Sequence, residues 1–257
     1  MTDALTVVRR RRRILEYLCE GAAPKRDIVA TTESSRSTVN RAVSELSSLG
    51  LVERVDGGFR TTTPGRLSLD VVTETSETIR TIRESSDVLS NVPLESHVSH
   101  RFLVGAHVVT GDSAAPYSGV DDAFDRLRRA DRVRGFGIAD NDPRWTRILH
   151  ERATDGSMTV SVAVTRRMAE YVLDRYDDKV EEYLAADDYR IRVCESLPFE
   201  MFLFDIEGRT VAHLLVVDET GSFVGQVEND RPDAVAWAEA RFAERFEAGV
   251  PISELLG

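Results

Sequence analysis

The stretch that decides the fold runs from Pro24 to Arg60, PKRDIVATTESSRSTVNRAVSELSSLGLVERVDGGFR. It reads as a short helix, a turn, a longer helix and a two-stranded hairpin. Pro24 suits the first helical position, where its missing N–H is not needed, and Ile28 and Val29 give that helix a small buried face. Glu33, Ser34 and Ser35 break the pattern, and Ser34 or Ser35 is placed to accept a bond from the free N–H groups that open the next helix. In that helix Val39, Ala42, Val43, Leu46 and Leu49 recur at helical spacing and predict one buried stripe. Arg36, Ser37, Asn40, Arg41 and Ser44 are left facing water, with short or forked side chains able to bond base edges or phosphates. Gly50 stops the helix, Leu51 to Val55 alternates as a strand, and Asp56-Gly57-Gly58 supplies tight-turn chemistry before Phe59 to Thr62 returns.

An αα-hairpin beside a β-hairpin, used only for packing, would leave that polar face without a purpose. The phrase SRSTVNRAVSELSSLGLVERVDGGFRTTTPGR resembles the recognition helix and wing of winged helix-turn-helix transcriptional regulators common in archaea and bacteria, over about residues 7–66. The resemblance implies binding to double-stranded DNA. Ser35, Arg36, Ser37, Thr38, Asn40 and Arg41 are then expected at the major groove, and Arg54 and Arg60 on the wing at the backbone or minor groove. Thr38 suits a helix-supporting role equally well.

Composition agrees once its distribution is considered. The 257-residue chain has a formal net charge of −11, which taken whole argues against a nucleic-acid partner. Residues 1–66, however, hold 12 basic and 8 acidic groups, against 21 basic and 36 acidic in the remainder. A basic module on an acidic body is the footprint of a DNA binder whose second domain does something else. Only Lys25 and Lys179 are lysines. Low Lys with abundant carboxylate resembles proteins of salt-accumulating archaea, where counterion release is largely spent and Arg forks carry more of the affinity; a GC-rich genome would favour Arg as well. Cys19 and Cys194 read as free thiols of a cytoplasmic protein, and no run approaches the length of a membrane span, so a soluble, unexported chain is expected.

Along the chain, Thr6 to Glu20 is a first helix carrying the run Arg9 to Arg13, which is either a solvated face or a source of phosphate contacts. From Leu67 to Leu89, Val72, Thr75, Ile79, Ile82, Ser86 and Leu89 form a weak heptad, expected as a helix packed on its own domain or as a dimer helix. The expected domains are therefore 1–66, a linker or dimerisation helix over 67–92, and an α/β domain with a mixed sheet over 93–257. Its expected strands are Phe102–Thr110, Val133–Ile138, Met158–Val164, Tyr189–Val193, Met201–Ile206, Thr210–Val217 and Phe223–Val227. Helices are expected near Val120–Ala130, Pro143–Ala153, Arg166–Tyr176, Asp178–Ala185 and Pro232–Ala248. The successive segments DRVRGFG, PRWTRILHERATDGSMTVSVAVT, LPFEMFLFD and RPDAVAWAEARF are similar to the C-terminal domain of archaeal regulators of the methanogenesis-regulatory type, over about residues 115–250. That resemblance implies an effector-sensing or assembly domain. Related domains in sugar-responsive regulators look like a remodelled phospholipase D fold, but neither lysine here lies two residues after a histidine, so the chemistry of that fold is not expected.

Catalysis is not expected, since no Ser/His/Asp or carboxylate constellation has recognisable spacing. His97, His100 and His107 lack a completing ligand, and no metal is assigned; Gly135-Phe136-Gly137 lacks a third glycine, and no cofactor is assigned. An effector site, if present, belongs beyond the carboxyl ends of the strands, at Gly137, Asp140, Arg144, Trp145 and Glu200. The expected function is a dimeric, effector-gated, sequence-specific transcriptional regulator. A sequence-blind architectural DNA binder and an α/β enzyme with a winged-helix handle stand as alternatives.

Overall fold

Asp3 starts the first helix by accepting the amide protons of Leu5 and Thr6, and α1 runs Ala4–Glu20. It is followed by α2 (Lys25–Thr32), α3 (Arg36–Ser48), the strands β1 (Val52–Val55) and β2 (Gly58–Thr61), and α4 (Thr63–Glu84). The computed structural model describes residues 3–111, 121–138, 142–175, 188–218 and 222–255. Pro24 stands one place before the helix, in extended geometry, and α2 opens at Lys25. The expected stripe of α3 is buried at Val39, Ala42, Val43 and Leu46, against Val7, Val8, Ile14, Leu15 and Leu18 of α1 and Ile28 of α2. Each of these fully buried aliphatic chains contributes roughly 1.5–3 kcal/mol of transfer free energy, which holds three short helices that could not persist alone.

The hairpin pairs Val52 with Thr61 and Val55 with Gly58, leaving Asp56-Gly57 as the two-residue turn. Its second strand is anchored on the far side, where Ala23 and Phe59 exchange two backbone hydrogen bonds of 2.9 Å. Gly58 is required at that contact. Its φ is +144°, and a Cβ there would stand 2.1 Å from the carbonyl oxygen of Ala23.

The chain divides into two compact units, Met1–Ile79 and Arg80–Gly257, so the boundary falls within the helix expected to link the domains. α4 begins at Thr63, before the expected Leu67, and its Leu69 and Val72 complete the first core. The expected heptad is therefore not one seam. Val72 is buried in the first core, while Leu89 lies in a separate short helix, α5 (Ser86–Leu89), and packs partly against the second core. The polar residues on buried turns of these helices turn inward on their own backbone: the hydroxyls of Ser76, Thr78 and Ser85 donate to the carbonyls of Val72, Glu74 and Thr81.

The second unit is built on an eight-stranded mixed sheet. It comprises α6 (His100–Leu103), β3 (His107–Thr110), α7 (Asp121–Arg129), β4 (Arg132–Gly137), α8 (Pro143–Thr154), β5 (Thr159–Thr165), α9 (Arg166–Arg175), β6 (Tyr189–Cys194), β7 (Glu200–Ile206), β8 (Arg209–Val217), β9 (Phe223–Asn229), α10 (Pro232–Ala248) and β10 (Val250–Pro251). The spatial order is β10-β6-β5-β4-β7-β8-β9-β3, with β4, β5 and β6 parallel and the other pairs antiparallel. Phe102–Thr110 is not one strand as expected. Ser99 caps a short helix in which Phe102 and Leu103 are buried, and only His107–Thr110 is extended. Phe102 packs 5.1 Å from Trp237 of α10, and a short apolar run of this kind reads the same in either conformation until its packing partner is known. The helix expected at Asp178–Ala185 lies outside the described residues.

Both faces of the sheet are covered, as a central strand buried throughout requires. Met201 and Leu203 of β7 join the core beneath α10, while Phe202 and Phe204 join Phe124 of α7 and Leu149 of α8 on the other side. No helix among the described residues is long and apolar enough to cross a membrane.

Gly58→Ala is expected to push β2 away from Ala23 and destabilise the first unit by on the order of 1–3 kcal/mol, because the added methyl meets a backbone carbonyl and the φ disfavours a side chain. Chemical denaturation of the full chain, followed by amide exchange at Phe59, measures both effects.

Candidate nucleic-acid interface

Burying one stripe of α3 leaves the opposite arc in water. Arg36, Ser37, Asn40, Arg41 and Ser44 are all exposed, and they occupy a continuous band on the helix. Ser35 and Thr38 are used differently. The Ser35 hydroxyl accepts the Thr38 N–H at 3.1 Å and lies 2.9 Å from the hydroxyls of Ser37 and Thr38, so this cluster starts the helix. Arg36 and Arg41 make no ion pair among the described residues and offer complete guanidinium forks. On the hairpin Arg54 is exposed, while Arg60 pairs with Glu53 across the strands at 2.6 Å.

Two features of this surface escaped the sequence reading. The arginine run does more than coat a helix. Arg10 and Arg11 both reach Glu45 of α3, at 3.0 and 2.9 Å, and the Arg11 bond holds the Glu45 carboxyl below the usual carboxylate range. Arg12 pairs with Glu16 one turn on, leaving Arg9 and Arg13 exposed. The second feature is Lys25, whose ammonium donates to Asn40 Oδ1 at 2.9 Å and stands 5.3 Å from the centre of the Phe59 ring. One of two lysines in an arginine-rich chain was the available signal, and it lay outside the longer helix that drew attention.

In the second unit the expected effector residues are partly brought together. Gly137 and Glu200 follow the last registered pair of β4 and β7, Phe136 opposite Met201. A Cβ on Gly137 would lie 3.7 Å from the Phe202 ring, and Trp145 packs 5.1 Å from the same ring with its indole N–H buried and unbonded among the described residues. Arg144 turns elsewhere, onto the Asp142 carboxylate and over the Phe124 ring at 4.8 Å. Asp140 lies outside the described residues.

A cleft of about 680 Å³ lies in another part of this unit, bordered by Gly105, His107, Arg126, Arg129, Arg209 and Glu228. Glu228 is its organising charge. Its carboxylate accepts from Arg126 and from His213 Nε2 at 2.6 Å, and His107 Nδ1 stands 3.2 Å from its other oxygen. Burial acts to raise the Glu228 pKa, but the bonds from His213 and Arg126 outweigh it and hold the group at about 2. His213 is fully buried, and burial pushes its pKa down despite the carboxylate beside it, so it stays neutral and donates through Nε2. Sequence periodicity had no means of pairing residues from α7, β3, β8 and β9.

Comparison with known proteins adds a lineage to this geometry. Residues 116–248, just over half of the chain, match the family model of the middle domain of the methanogenesis regulatory protein FilR1. Residues 1–84 match a second model, the HVO_A0261 N-terminal domain. No curated protein matches the chain in sequence. Among solved structures the chain is similar to TrmBL2, an archaeal chromatin protein, at 13% identity and a TM-score of 0.44, over 92% of each chain. It is also similar to Nuc, a phospholipase D family member from Salmonella typhimurium, at 14% identity and a TM-score of 0.40, over 57% of this chain and 97% of that one.

Both His213 and the half-buried Glu228 make the second unit less stable in acid. His213, whose folded pKa is lowered from 6.5, begins to cost stability once the unfolded chain can take up its proton below that pH. The contribution of Glu228 is present above its ordinary 4.5 and is lost as pH falls toward about 2. Glu228→Gln is expected to destabilise the second unit by about 1.5–3 kcal/mol at pH 7 and to flatten the loss between pH 4.5 and about 2. Denaturant titrations at pH 7 and pH 3 measure both.

Proposed function

The chain belongs to the family of regulatory proteins defined by the middle domain of the methanogenesis regulatory protein FilR1, and on that premise we propose that it is a sequence-specific, DNA-binding transcriptional regulator. The observation that carries the reading is the exposed arc Arg36, Ser37, Asn40, Arg41 and Ser44 on α3, beside a hairpin presenting Arg54. A helix of this size fits the major groove, and forked cations at its first turns suit the paired acceptors of guanine. The hairpin then follows the adjacent backbone or minor groove through Arg54 and Arg60. Ser35 and Thr38 support the helix start in this account, since their hydroxyls are already committed.

The regulator acts in the cytoplasm as a homodimer on paired half-sites. Leu67 and Val71 of α4 support this, being 59% and 61% exposed on the side of the helix away from Leu69 and Val72. Its second unit receives a small-molecule effector in the cleft organised by Glu228, where Arg129 and Arg209 stand at the rim. The role is regulatory and not catalytic: of the two imidazoles beside Glu228, His213 is sealed from solvent with its pKa pushed down, and His107 is spent on the same carboxylate.

Arg36→Ala with Arg41→Ala is expected to weaken operator binding by at least about ten-fold while leaving thermal stability unchanged, since both side chains are exposed and each bidentate base contact is worth roughly 1–3 kcal/mol. Sequencing of genomic DNA bound by wild type and variant at high salt is the check, and a shared consensus in both would sink the groove assignment. Leu67→Glu with Val71→Glu is expected to shift the protein to a monomer in sedimentation without unfolding the first unit. An unchanged dimer would place the interface elsewhere.

A further inference from the structure

We propose that Lys25 is a specificity-determining positioning residue that fixes the order in which Asn40 presents its donor and its acceptor to the DNA. This rests on the reading of α3 as the helix that enters the groove. Lys25 stands at the first position of α2 and Asn40 in the middle of the exposed arc of α3, and Lys25 Nζ lies 2.9 Å from Asn40 Oδ1. An ammonium has protons to give and no lone pair to accept with. Only the oxygen of the carboxamide can face it. The orientation of an asparagine amide, which is ordinarily inferred from its surroundings, is therefore set here by Lys25, its one side-chain partner among the described residues.

The partner is itself held. The Lys25 ammonium sits 5.3 Å from the centre of the Phe59 ring, a cation–π contact, and Phe59 is the residue whose backbone pairs with Ala23 two places before Lys25. The hairpin thus positions the lysine, and the lysine positions the amide. Asn40 is exposed, and its Nδ2 makes no hydrogen bond among the described residues.

The consequence lies in the pattern that base pairs show in the major groove. Across a G·C pair the edge presents the guanine N7 and O6 acceptors and then the cytosine N4 donor, so an amide bridging O6 and N4 meets the opposite order when the pair is turned round. An amide free to rotate by half a turn exchanges its oxygen and nitrogen and satisfies either orientation of the pair. An amide whose oxygen is tied toward α2 satisfies one. Lys25 thereby converts a residue that recognises a kind of base pair into one that recognises which strand carries the purine.

The test is base preference measured across randomised operator libraries with the full-length protein, comparing wild type, Lys25→Met, Lys25→Arg and Asn40→Ala. Methionine keeps an unbranched stem over Phe59 and removes the protons; arginine keeps a donor. Asn40→Ala identifies the operator position that Asn40 reads, by loss of preference there. At that position Lys25→Met is expected to lose about ten-fold discrimination between the pair and its reverse, with preferences elsewhere intact, and Lys25→Arg is expected to restore it. Lys25→Met with unchanged discrimination at that position overturns the assignment. So does a uniform fall in affinity for every sequence, which would make Lys25 a phosphate contact only. Failure of the wild type to select any consensus overturns the regulator reading itself, and this assignment with it. Melting curves for each variant separate these results from loss of the fold.

Discussion

The first unit depends on α3 having one narrow dry side. Val39, Ala42, Val43 and Leu46 must reach the side chains of α1 and α2, and a helix rotated by one residue would turn Asn40 and Ser44, or in the other sense Arg41 and Glu45, toward that core. The Arg10–Glu45–Arg11 contact guards the same rotation from the polar side, because Glu45 can meet both guanidiniums in only one setting of the helix. Burial and charge therefore specify a single face for water. The surface offered to a partner is a by-product of what the core excludes.

Much of this was legible from residue order. The α3 stripe, the Gly50 stop, the Asp56-Gly57 turn and the closing helix Pro232–Ala248 follow from periodicity and turn chemistry, which act over a few residues. Contacts made between elements were not legible. Phe102 is helical because Trp237 lies against it, and the α4 heptad is divided because Val72 and Leu89 serve different cores. Lys25 and Asn40 are fifteen positions apart, joined only after two helices and a hairpin have taken their places. The exposed arc of α3 could be read because one helix presents it, while the Glu228 cluster was missed because its members come from four separate elements.

The two units also solve the problem of polar groups in different ways. In the first, charges lie at the edges of a small apolar core and stay largely solvated. In the second, a sheet covered on both faces has to accommodate Arg126, Glu228 and His213 in partly or fully dry surroundings, and it does so by bonding them to each other. Such an arrangement demands complete partnership, since one missing member leaves a buried charge uncompensated.

That partnership fixes the charge state of the Glu228–His213 pair. Glu228 stays ionised down to about pH 2, and burial holds the His213 pKa below its usual value, so these two groups keep one charge state at neutral pH. A carboxylate fixed in this way is a permanent acceptor at the wall of the cleft, its strength set by neighbours from three other elements.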